Sequence, residues 1–114
     1  VLTTPGAINL HGEDAMSAYN IVRFKVKPGC ETDFVAFHRT ARHVPGMTEG
    51  ALIKTGENSF CLVAKWKNFD SIVAARPQMI GMLNELRHML EDQGNGLGVT
   101  DPVSGNVVAD LLVA

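Results

Sequence analysis

Hydrophobic and polar residues alternate on a two-residue period from Tyr19 to Lys27, with Asn20, Val22, Phe24 and Val26 on one face and Tyr19, Ile21, Arg23, Lys25 and Lys27 on the other. This predicts a strand, closed by Pro28-Gly29. A helix follows from near Glu31, where Glu31 and Asp33 complement the positive end of the helix dipole and Phe34, Phe37, His38 and Ala41 share an inner stripe. VPGMTEG ends it. Ala51 to Thr55 and Ser59 to Trp66 read as two antiparallel strands around a short Gly56-Glu57-Asn58 turn. A second helical pattern begins with Phe69, Ile72 and Val73, is interrupted or kinked at Pro77, and continues through Met79, Met82, Leu83, Leu86, Met89 and Leu90. GNGLGVTDPVSG reads as a loop by composition, and VVADLLVA as the last strand.

The order strand, helix, strand, strand, helix, strand is the split βαβ pattern. It predicts an α+β, ferredoxin-like sandwich in which two helices cover one face of a four-stranded antiparallel sheet. The other face, carrying Ile21 and Val63, would be left bare, and a second copy of the same surface would hide it. The expected assembly is a two-fold homodimer.

A chain of 114 residues supports one domain, read here as 18–114, with residues 1–17 forming an arm of mixed Pro, Gly and acidic composition and Met16 a candidate start. Hydrophobic residues at 46% supply a core, and charged residues at 19% give no sign of global disorder. A net charge of −2, from 10 basic and 12 acidic residues without long runs, gives no electrostatic footprint for nucleic acid. Cys30 and Cys61 stand far apart and form neither a disulfide framework nor a zinc ribbon. No apolar run approaches the roughly 20 residues a membrane span needs, and the chain reads as cytoplasmic, with no membrane partner.

Candidate chemistry follows from facing. Asn20 should point toward the helices, where its amide can both donate and accept; a cap on the strand end is the alternative. His38 lies on the inner stripe of the first helix beside Phe34 and Phe37, placed either to move a proton or simply to bond a nearby carbonyl. Arg76, next to the Pro77 kink, is a candidate for a phenolate or carboxylate, or an exposed helix cation. Met79 and Met82 are adaptable wall or core residues. His38 and His43 are five apart and do not share a helix face, and Glu85 with His88 is a single pair, so no metal site is expected. GNGLG follows a helix and fails the context of a dinucleotide loop.

The stretches VKPG, EGALIKTGENSFCLVAKW and NFDSIVAAR resemble the antibiotic biosynthesis monooxygenase-like group of the dimeric α+β barrel superfamily, over about Tyr19 to Ala114. The resemblance implies a dimeric α+β barrel. It also implies cofactor-independent oxidation of a small aromatic or quinol-like molecule by O2, with no metal or flavin. Trp66 resembles the tryptophan that lines the pocket in such relatives, so the catalytic set implied is His38, Asn20 and Trp66. Substrate would be bound by Trp66, Phe34, Arg76, Met79 and Met82. Two positions depart from the polyketide-oxidising pattern, Leu62 replacing an asparagine and Ile72 a tyrosine. Two others depart from the haem-degrading pattern, where Val22 and Arg76 stand for asparagine and histidine. A noncatalytic small-ligand-binding dimer, and an isomerase or lyase on the same scaffold, are the alternatives.

Overall fold

The computed structural model describes residues 16–40 and 44–111. The arm expected over 1–17 falls mostly outside them, as do Ala41 and His43. Strand β1, Ala18–Lys25, buries Ala18, Asn20 and Phe24, half-buries Val22 and leaves Arg23 and Lys25 exposed, as the alternation requires. Helix α1, Glu31–Arg39, buries Phe34. Strands β2, Met47–Gly56, and β3, Ser59–Trp66, form the hairpin. The left-handed turn residue is Asn58, at φ 61°, a conformation that asparagine tolerates. β2 begins four residues before the predicted Ala51, with bulges at both ends of its pairing to β3.

Helix α2, Phe69–Leu86, starts on Asn68, whose Oδ1 accepts hydrogen bonds from the backbone N–H and the hydroxyl of Ser71, both at 2.9 Å. Pro77 does not interrupt it; the helix runs through to Leu86 and tightens into a 3-10 turn at Arg87–Met89. Solvent can meet the carbonyl that lacks its N–H partner, because Val73, four residues earlier, is on the exposed side.

The last strand is not where composition put it. β4 is Asp101–Asn106, inside the stretch read as loop, while residues 107–111 form no strand and 112–114 lie outside the described residues. β4 is an edge strand paired only with β1, so Pro102 can be accommodated without breaking a second ladder. The Val107 N–H still donates to Ser17 O at 2.8 Å, but β1 begins only at Ala18 and the ladder can go no further.

The sheet order β2-β3-β1-β4, antiparallel throughout, completes the ferredoxin-like α+β fold. Two apolar clusters sit between sheet and helices. In the first, Phe34 packs at 5.2 Å from both Phe24 and Phe60, with Val26, Leu86, Met89 and Leu90 around them; burying each such side chain stabilises the fold by about 1.5–3 kcal/mol. The second gathers Ala18, Val44, Ala64, Trp66, Ile72 and Ala75. On the opposite face, cross-strand register aligns Ala51, Val63, Ile21 and Val103 in one apolar row across all four strands.

Candidate active site

Sheet and helices do not close completely. Between them lies a cavity of about 840 Å³, walled by Asn20, Val22 and Phe24 of β1, Phe37 and His38 of α1, and Ile72, Arg76, Met79 and Met82 of α2. Its volume is in the range of small-molecule sites, and its lining is mostly apolar. Polar groups are few, so each can be considered in turn.

His38 Nδ1 lies 2.9 Å from the Phe34 carbonyl oxygen, one helical turn back. A carbonyl only accepts, so Nδ1 carries the hydrogen and donates it, leaving the lone pair on Nε2. Burial pushes the imidazole pKa below its ordinary value, partly opposed by the bond to Phe34, which favours the charged form. The ring is wedged against Phe34 at 4.6 Å, Phe37 at 5.7 Å and Phe24 at 6.1 Å between centroids. A neutral imidazole held in one tautomer against an apolar hollow is chemically suited to accept a proton.

Asn20 is buried on the helix side of β1. Its Oδ1 accepts from Ser104 Oγ at 3.0 Å, and its Nδ2 sits 3.8 Å from the sulfur of Met79. Asn20 and His38 do not meet. His38 packs at Phe24, which stands four positions along the strand from Asn20, roughly 13 Å between their Cα atoms. A ligand touching both must be elongated.

Arg76 lines the exposed rim of the cavity, with no acidic partner among the described residues. Met79 and Met82 supply part of its wall. Trp66 and Phe34, for which substrate contact was expected, are fully buried and are not part of the lining. The indole stands opposite Ala18 and on the same face as Ala64, two small residues that leave it room in the sheet-side core. Its Nε1–H has no acceptor among the described residues. Residues that the sequence reading did not select also contribute: Phe37, Val44, Leu52, Thr100, Pro102 and Ser104. The last three belong to or adjoin β4, whose turn-rich composition concealed a strand. No cluster of three or more metal-ligating side chains occurs among the described residues. No described helix is long and apolar enough to cross a membrane.

No protein-family model and no curated protein matches the chain. Solved structures do. NE2512 from Nitrosomonas europaea, a protein of unknown function, superposes with a TM-score of 0.67 at 19% identity, over 87% of this chain and 96% of its own. A mutant of SnoaB from Streptomyces nogalater, described as a cofactor-independent oxygenase, gives 0.63 at 19% identity over 83% of this chain and 96% of its own. ActVA-Orf6 from Streptomyces coelicolor, a monooxygenase in complex with nanaomycin D, gives 0.64 at 16% identity over 87% and 94%. The fold is that of the antibiotic biosynthesis monooxygenase-like proteins. An antibiotic biosynthesis monooxygenase-like fold does not dictate a reaction. The chemistry has to be argued from His38, Asn20 and the cavity they line.

Proposed function

We propose that the chain is a cofactor-independent monooxygenase of this family, acting as a homodimer on a small, flat aromatic or quinol-like molecule. The observation that carries the reading is the His38 imidazole, neutral and fixed in tautomer, lining an apolar cavity large enough for such a molecule. Nε2 takes a proton from an acidic C–H or O–H of the substrate. The resulting carbanion or phenolate gives an electron to O2, a ring carbon of the substrate gains one oxygen atom, and the other oxygen leaves as water with the two hydrogens that the substrate gives up. For a ring CH2 the balance is CH2 plus O2 giving C=O plus H2O. Asn20 holds a substrate oxygen, Arg76 addresses negative charge at the rim, and Met79 and Met82 form the apolar wall. Trp66 and Phe34 set the shape of the cavity from behind.

The names of SnoaB and ActVA-Orf6 lend this reading support by analogy. The apolar row Ala51, Val63, Ile21 and Val103 supports the dimer, since Val103 is 61% exposed and the row crosses the whole sheet. Oxygen uptake measured over a panel of anthrones and quinols tests the activity. Uptake above the buffer blank that is lost in His38→Ala supports it; uptake at the blank level for every compound counts against it. Turnover that persists without oxygen would favour the isomerase or lyase alternative, and thermal stabilisation by ligand without turnover would favour a binding protein.

A further inference from the structure

Asn20 is a buried polar side chain whose two ends are unequally matched. Its carboxamide is buried on a central strand, with Val22 two residues along the same face and Ala64 directly across. An amide offers two donors and one acceptor oxygen. The oxygen is engaged by Ser104 at 3.0 Å, and among the described residues the nitrogen meets only the thioether of Met79 at 3.8 Å, a weak acceptor. This assignment of oxygen and nitrogen is also the one electrostatics favours, because the reverse would press the amide oxygen against the electron-rich sulfur. Ser104 has one hydroxyl proton and spends it on Oδ1. Asn20 and Ser104 are directly paired across β1 and β4, so the backbone fixes their approach.

We propose that Ser104 is a positioning residue that holds Asn20 with its N–H group available to the cavity, so that the site selects ligands presenting a hydrogen-bond acceptor, an aromatic ketone or phenolate oxygen, at this end. The inference rests on the reading of the cavity as a ligand site and adds the polarity that the site demands. With Oδ1 already engaged, a ligand hydroxyl gains nothing by donating there. A carbonyl or phenolate oxygen meets a donor that the protein leaves poorly matched, and a bare hydrocarbon leaves it unmatched.

The test uses two probes with one carbon skeleton, 1-tetralone and tetralin, titrated into the isotope-labelled full chain by NMR. The quantity read is the ratio of the tetralin Kd to the tetralone Kd, which cancels the common apolar contribution. Ser104→Ala should lower this ratio roughly fivefold to tenfold, the worth of one ordinary hydrogen bond, while changing the tetralin Kd by less than about twofold. Ser104→Thr keeps the hydroxyl and should restore the ratio. Asn20→Leu should lower it as far as Ser104→Ala does, and the Asn20 side-chain amide signal should shift with tetralone and stay in place with tetralin. If both probes bind and the ratio is the same in wild type, Ser104→Ala and Asn20→Leu, the inference is overturned and the cavity reading survives. If neither probe perturbs the residues lining the cavity, the cavity reading fails and the inference falls with it.

Discussion

Replacing Trp66 by phenylalanine separates a core indole from a ligand-stacking one. The side chain is fully buried, and its Nε1–H meets no acceptor among the described residues. Shrinking the ring leaves roughly 40 Å³ unfilled, which at roughly 24 cal/mol per Å³ costs about 1 kcal/mol. The same change removes a buried, unpaired donor, whose desolvation costs about 1–3 kcal/mol in the wild type. The two effects oppose each other, so Trp66→Phe should fall between no change and a gain of about 2 kcal/mol, whereas Trp66→Ala should lose about 3–5 kcal/mol. Urea unfolding at one fixed protein concentration measures both. Circular dichroism is the probe, because Trp66 is the only tryptophan. A loss above about 2 kcal/mol in Trp66→Phe would show that the indole N–H has a partner after all and refute the reasoning. In the oxygen assay the phenylalanine variant should keep most of its turnover. A roughly 100-fold fall in kcat at unchanged stability would place the indole on the substrate.

Four further outcomes follow from other parts of the structure. Since His38 must be neutral to act and burial lowers its pKa, kcat/KM should be flat at neutral pH and fall in acid with an inflection below 6.5; an inflection above 6.5 would contradict the burial argument. The same group binds its proton more readily when unfolded, so its contribution to stability is complete above pH 6.5 and is lost as pH falls through the lower folded pKa; the urea midpoint of His38→Gln should therefore drop less than that of the wild type between pH 7.5 and pH 5. Val103→Glu, in the exposed apolar row, should convert a dimer to a folded monomer in sedimentation velocity, and a wild-type chain that sediments as a monomer would remove the dimer from the account. Gly46→Ala should cost at least about 2 kcal/mol in thermal or urea unfolding, because Gly46 has φ +92° and an added Cβ would lie 2.6 Å from the Ser71 Cβ.

The first three-quarters of the fold was legible in the residues because its elements carry their own period. β1 alternates cleanly, α1 opens on acidic residues at Glu31, and the hairpin is marked by its turn, so facing placed Asn20 toward the helices and His38 toward the sheet. β4 was not legible. An edge strand needs hydrogen bonds on one side only and little burial, so Asp101–Asn106 could be built from Pro, Ser, Gly and Asn, while the more apolar VVADLLVA drew the assignment away from it. With β4 went Ser104, and with Ser104 the reason Asn20 is oriented as it is. The placement of Trp66 was equally hidden: a period of two gives the side of the sheet but not whether a large ring there meets a cavity or fills a core beside Ala18 and Ala64.

The most direct measurement mixes the protein with an anthrone in the absence of oxygen and follows the absorbance of the anthrone anion, then admits oxygen. The account predicts that the wild type forms the anion in proportion to the number of cavities, that His38→Ala does not, and that oxygen then converts the anion to ketone with one O2 consumed for each molecule of product. Anion formation at the buffer rate in both proteins, or oxidation that proceeds equally well without His38, would contradict it.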